Sequence, residues 1–386
     1  MKIPLAVPNL LGREAEFLQE CITSSFVSTV GPFVDQFESE IAALSGTQKA
    51  VVLCTGTTAL QMALEGLGIG DGDLVVIPTM TFIATANAVS HSGAKVWIMD
   101  VSPETWTLDL DLVRSQILTE TDPHPRGRFH RASGKILRAL MPVMIMGAVL
   151  DFDALVNLAR EFGLKVVVDA AAAIGTRAAG DQPIAATGVD AVCYSFNGNK
   201  TITTGGGGAI AAADTALMSR IRHLISTGRV GANYDHDVVA YNFRMTNVQA
   251  ALGLAQLERL ERFLTRKAEL RDHYAALALR HAHLHPFPQA PYGRNGHWFS
   301  GFWYSGADLS LCDDFRAHMN AAGIDLRPFW KPIHLQTPYL SSLATPMPVA
   351  DSLWQRLFPL PCSTHITEAE LAQVTEAADA FWAVHR

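Results

Sequence analysis

The chain has 386 residues, 49% apolar and 17% charged, enough to bury one large core and a second, smaller one. A formal net charge of -7 argues against nucleic acid as a main partner, because phosphate binding needs a basic face. The five cysteines (Cys21, Cys54, Cys193, Cys312, Cys362) are scattered, with no C-x-x-C pair, and read as small apolar thiols in a reducing compartment rather than a disulfide framework or a zinc site.

The opening Met1-Lys2-Ile3-Pro4 lacks the apolar core and cleavage site of a secretory signal. Short apolar, β-branched runs at residues 50–53, 74–77, 95–99, 140–146, 165–168 and 191–194 predict strands. Most are apolar throughout, as expected of strands covered on both faces. Helical patterns lie between them, as at 57–67 and 152–162. This alternation predicts a mostly parallel sheet flanked by helices. Residues 74–94 carry no charged side chain, but Pro78, Thr79, Thr81, Thr85 and Asn87 make membrane insertion costly, so a soluble cytoplasmic protein is expected. A basic loop between helix and strand holds Arg126, Arg128, His130, Arg131, Lys135 and Arg138, with Pro123 and Pro125. Its ordinary reading is a solvated loop, and its sharper one a contact to a substrate diphosphate.

The pattern changes after about residue 247. A long helical segment, 248 to roughly 277, leads into a mixed region with a strand-like run at 297–303 and helices near 312–322 and 368–384. The expected organisation is a large α/β domain over 15–249 and a smaller α+β domain over 250–386, with residues 1–14 packing nearby.

Four segments carry candidate chemistry. Ser195-Phe196-Asn197-Gly198-Asn199-Lys200 ends a strand and is followed by Thr201-Ile202-Thr203-Thr204 and the tract Gly205 to Gly208. A lysine at the mouth of a sheet can lose its proton and form an imine with an aldehyde, and glycines let backbone pass close to a bulky cofactor. The order required of a Walker loop is absent. Asp169 closes the apolar run Val166-Val167-Val168, where open α/β sheets bind ligands, and an acid there can hold a protonated ring nitrogen. Thr55-Gly56-Thr57-Thr58 opens a helix after a strand and so offers free N–H groups to a phosphate. Phe82, in Pro78-Thr79-Met80-Thr81-Phe82, can lie on an aromatic ring. Singly, each has an ordinary reading: a surface lysine, two helix caps and a core aromatic. Together they are a phosphate cup, a stacking ring, a ring-nitrogen acid and an imine-forming lysine at successive strand ends.

These segments resemble the DegT/DnrJ/EryC1/StrS family of sugar aminotransferases, and the resemblance extends to Gly31-Pro32-Phe33, Tyr241-Asn242-Phe243-Arg244-Met245, Arg327-Pro328-Phe329-Trp330 and Leu360-Pro361-Cys362-Ser363. The Asn-Gly-Asn-Lys form looks most like the branch acting on UDP-4-keto-6-deoxy-N-acetylhexosamines in bacillosamine and legionaminic-acid pathways. The resemblance implies the PLP (pyridoxal 5'-phosphate) fold type I, with Lys200 binding the cofactor, Asp169 on its pyridine nitrogen and Phe82 on its ring. Gly56, Thr57 and Ser195 would hold the phosphate, with Asn242 reaching it from the second subunit of a homodimer. Ser28, Gly31 and His334 would lie near a nucleotide-linked keto sugar, and L-glutamate would be the amino donor. It also implies polar groups where this chain has Ala172 and Met144, and a glycine where it has Ala240. The alternative within this fold is a PLP-dependent sugar dehydratase or an aldolase-type lyase; the dehydratase branch of the family carries histidine in place of the lysine, so Lys200 speaks against it. The intact set speaks against a third reading, a non-catalytic regulatory homologue.

Overall fold

The computed structural model describes residues 2–385. Seven strands build the main sheet: β1 (Ala50–Leu53), β2 (Asp73–Pro78), β3 (Lys95–Met99), β4 (Lys135–Leu140), β5 (Lys165–Asp169), β6 (Ala191–Ser195) and β7 (Gly208–Ala211). Their spatial order is β1-β7-β6-β5-β4-β2-β3, and Leu343–Ala344 from the C-terminal part adds an edge beside β3. Every pairing in this row is parallel except those of β7, which runs antiparallel to both β1 and β6.

Alternation along the strands explains the layering. Val51, Leu53, Val75, Ile77 and Val167 enter one apolar core, while Ala50, Val52, Leu74, Val76, Val166 and Val168 enter another. With side chains of period two and both faces covered, every second residue serves the opposite core, which is why these strands read as unbroken apolar runs. Helices Gly56–Gly66, Ala84–His91 and Thr215–Ile225 supply one face; Pro32–Ser45, Leu110–Glu120 and Phe152–Phe162 supply the other. The carboxyl ends of β1, β2, β5 and β6 therefore open on one edge of the sheet, the edge where such folds bind ligands.

Several expectations need correction. The apolar run 140–146 is not a strand. The strand is Lys135–Leu140, and the buried residues Met141 to Met146 continue irregularly, with a single bridge from Val143 to Asp169 and a 3-10 turn at Ile145–Gly147 in which Met146 has a φ of 53°. Burial, not extension, made that run apolar. The expected long helix breaks at Glu258–Arg259 into Asn247–Leu257 and Leu260–Ala278. The strand-like run 297–303 is narrower, Gly301–Tyr304, in a small sheet with Leu284–Pro286 and Leu357–Pro359. The basic stretch is a hairpin, Thr121–His124 with Gly127–His130, laid against β4. Its guanidiniums are taken internally, Arg126 by Asp73, Arg128 by Thr121 and Arg131 by Asp122, and none of them lines the candidate site.

Near the amino terminus Ile3 pairs with Ile324, and the Leu5 carbonyl accepts from the Cys362 N–H at 2.8 Å, which ties these residues to the C-terminal part. Among the described residues no helix is long and apolar enough to cross a membrane.

Candidate active site

A cavity of 480 Å³ opens at the carboxyl edge of the sheet. Its wall includes Gly56, Thr57, Phe82, Asp169, Ser195 and Lys200, so residues up to 144 positions apart in the chain meet in one place. A groove of similar volume around Ser102 and Asp109 is lined by acids and by no lysine or arginine, which leaves no electrophile-binding amine there.

The helix Gly56–Gly66 is capped by Thr55, whose hydroxyl accepts from the Thr58 N–H at 3.1 Å. The N–H groups of Gly56 and Thr57 belong to the first turn and have no carbonyl four residues back to bond. A Cβ on Gly56 would lie 2.7 Å from Ser195 Cβ, and one on Gly208 would lie 2.5 Å from the Thr55 carbonyl oxygen. Glycine at these two places lets the helix start settle against the ends of β6 and β7. The result is a cup of N–H groups and hydroxyls at the positive end of a helix, an anion site by its donor set.

Asp169 is buried at the end of β5. Its Oδ2 accepts from Thr85 Oγ1 at 2.7 Å and its Oδ1 from the Ala171 N–H at 3.0 Å. Burial raises its carboxyl above the usual range, opposed by the Thr85 and Ala171 bonds and by the charge of Lys200. Among the described residues Asp169 forms no ion pair, although it faces the cavity. A buried carboxylate held by two donors, with a cavity in front of it, fits a ring N–H cation. Lys200 follows the turn after β6. Part of its surface faces the cavity, yet protein crowds it enough that burial lowers its ammonium pKa to about 8, against the pull of Asp169.

Phe82 is 54% exposed, its ring 5.7 Å from that of Trp330 at 58°. An aromatic left open at a strand end has room for a planar partner. The donor cup, the cation-free acid, the open ring and the partly deprotonated lysine together fit pyridoxal phosphate.

Other anticipated residues lie elsewhere. Asn242 is exposed and does not line this chain's cavity. Ser28 and Gly31 flank a turn held by Asn247, whose N–H donates to the Ser28 carbonyl at 2.6 Å. His334 is held by Thr79 Oγ1 at 2.6 Å and Asp351 Oδ1 at 3.0 Å, behind the wall formed by Arg327 to Trp330. Neither Ala172 nor Met144 is on the wall, and Met144 is fully buried beneath it, its N–H donating to the Asp169 carbonyl. Residues not anticipated are Thr85, Asn199, Trp298, Arg327 and Trp330, all on the wall. Thr85 stood three residues beyond Phe82 in the uncharged run 74–94, four residues after Thr81; Trp298 gave no signal beyond being a tryptophan in an apolar run.

Fold and cavity together define a pyridoxal-phosphate aminotransferase of fold type I. A family model described as the DegT/DnrJ/EryC1/StrS aminotransferase family matches residues 9–379, and the chain belongs to that family. It is 33% identical over 380 residues to GDP-perosamine synthase of Caulobacter vibrioides, covering 98% of each chain. Among solved structures it resembles DesV of S. venezuelae, crystallised with a ketimine intermediate (TM-score 0.84, 30% identity, 96% of this chain and 94% of that one). It also resembles Spr1654 of Streptococcus pneumoniae in its PLP form (TM-score 0.87, 25% identity, 100% and 99%). The chain is a nucleotide-sugar aminotransferase that depends on pyridoxal phosphate.

Proposed function

We propose that the chain transfers the amino group of L-glutamate to the keto carbon of a nucleotide-linked keto-deoxy sugar, a 4-keto-6-deoxy hexose or N-acetylhexosamine. The observation that carries this reading is the meeting of Lys200 with the cation-free, buried Asp169 in one cavity. Pyridoxal phosphate, when bound, supplies an electrophilic aldehyde and an electron-withdrawing ring. Gly56, Thr57 and Ser195 would hold its phosphate, Phe82 would cover its ring, and Asp169 would keep the proton on the ring nitrogen. Lys200, with a pKa of about 8, gives up and takes back a proton near neutrality, as a general acid and base must.

The large domain, 15–249, carries these groups, and the smaller C-terminal domain, 250–386, adds Trp298, Arg327 and Trp330 to the wall. Asn242 acts in the site of a second copy, and Ser28, Gly31 and His334 belong to the sugar-nucleotide side. Five unpaired thiols favour a cytoplasmic setting.

The Asn197-Gly198-Asn199-Lys200 form favours a UDP sugar, and likeness to GDP-perosamine synthase favours a GDP sugar. Incubating the protein with L-glutamate and UDP-, GDP- or dTDP-linked 4-keto sugars tests both levels. Release of 2-oxoglutarate with formation of an amino sugar from one of them is expected. Silence with all three, from protein that binds the cofactor, overturns the substrate assignment.

A further inference from the structure

Trp298 reaches the site from the C-terminal part of the chain, just ahead of the strand Gly301–Tyr304. The amine of Lys200 lies over its indole, 3.7 Å from the ring centroid. Its Nε1–H donates to the carbonyl of Asn199, the residue before the lysine, at 2.6 Å. One side chain therefore holds both the peptide that carries the lysine and the lysine's reactive end.

Trp298 is itself fixed in place. It is 1% exposed, and its N–H donates to the Met146 carbonyl at 2.8 Å. Its carbonyl accepts from Nζ of Lys267 at 2.8 Å, a buried lysine whose second acceptor is the Cys362 carbonyl at 2.6 Å. Phe299 stacks on the indole at 3.8 Å, and Trp330 lies 5.9 Å away. A tryptophan so braced cannot yield to the lysine; the lysine must settle on it.

We propose that Trp298 is a positioning residue, its indole face orienting the Lys200 amine and favouring its ammonium form when that amine is not bonded to cofactor. The ring's negative face attracts a cation, and more strongly where water is excluded. It also removes most of the freedom of a side chain with four rotatable bonds, so the proton carrier stays beside the atoms it serves. The charged groups facing Lys200 are few: Asp169 from β5, and across the cavity Arg327, which is already paired with Asp325 at 2.7 Å. Burial pushes the ammonium toward losing its proton, and Asp169 and the indole face oppose it.

This rests on the reading of Lys200 as the cofactor-binding lysine, and the test separates the two. In cofactor-free protein, competitive acetylation followed by peptide mass spectrometry gives the titration midpoint of Lys200 alone. Trp298→Leu is expected to lower that midpoint by about one pH unit, and Trp298→Phe, which keeps a weaker face, by less. Stepwise fluorination of the tryptophans drains the ring face without changing its shape and is expected to lower the midpoint stepwise, even if Trp298→Leu does not fold. A midpoint that stays put or rises under fluorination overturns the proposal. Borohydride reduction of the wild-type holoenzyme reports separately. A pyridoxyl label on another lysine sinks the site assignment, whereas a label on Lys200 with an unmoved midpoint sinks only the role of Trp298.

Discussion

Thr85 Oγ1 donates to Asp169 Oδ2 at 2.7 Å, and Thr81 Oγ1 stands 2.7 Å from Thr85 Oγ1. An ionised carboxylate only accepts, so the Thr85 proton points at Asp169 and the Thr81 proton must point at Thr85. Two buried hydroxyls thus line up as a chain of donors ending on the acid, offsetting the desolvation that would otherwise neutralise it.

Thr85→Val keeps the shape and removes the donor. A hydrogen bond to a charged group contributes about 1.5–3 kcal/mol, so cofactor affinity is expected to fall about 10- to 100-fold. Titrating cofactor-free protein with pyridoxal phosphate measures this, and Thr85→Ser should restore most of it. Wild-type affinity in the valine variant would mean that Ala171 alone holds the acid.

Asp169→Asn leaves the fold of β5 in place but removes the charge that faces the cavity. Breaking a buried charged pair costs about 3–5 kcal/mol, and if this is felt in the transition state turnover drops by about 100-fold or more. Steady-state kinetics with a competent sugar nucleotide decides it. Near-normal turnover would reduce Asp169 to a structural acid.

The strand-end residues were legible because their signal is local: an apolar run covered on both faces stops at a polar residue, Asp169 or Ser195. The partners of those residues were not legible. Thr85 and Asp169 are 84 positions apart, and Trp298 and Asn199 are 99 apart, so only the folded sheet and the C-terminal cover bring them together. The same limit hid β4, whose Lys135 and Arg138 made it look like part of a basic loop, while the buried irregular segment from Met141 to Met146 imitated a strand. The break at Glu258–Arg259 has no glycine or proline to mark it.

Lys200 also makes stability depend on pH. Its folded pKa of about 8 lies below the ordinary 10.5. Below pH 8 both folded and unfolded chains carry the proton, and the folded chain bears the full cost of the buried ammonium. Between pH 8 and 10.5 the unfolded chain binds more protons, so stability rises with pH and the cost vanishes. Cofactor-free Lys200→Met is therefore expected to exceed wild type by on the order of 2 kcal/mol at neutral pH, a gap that closes toward pH 10.5. Urea denaturation at several pH values measures it; a gap independent of pH would contradict a desolvated ammonium.

Asn242 offers the sharpest test of a site shared between two chains. Its segment is fixed by backbone bonds: Tyr241 N–H to Leu224 O, Phe243 N–H to Ile225 O, and Cys54 N–H to Phe243 O. Yet its side chain is exposed and away from its own cavity. It does not start the following helix either, since Thr246 and Gln249 form that cap. In the stretch that leads into it, Tyr234 and Val239 are 74% and 98% exposed, apolar surface of the kind that a second copy covers. A two-fold dimer would bring each such segment to the other chain's cup. Lys200→Ala and Asn242→Ala homodimers should each be inactive or nearly so. Unfolded together and reassembled, half of the dimers pair one variant with the other, and each of those has one site with both residues intact. Activity of about a quarter of wild type is then expected from random pairing. Demonstrated heterodimers with no recovered activity would mean that Asn242 serves its own chain.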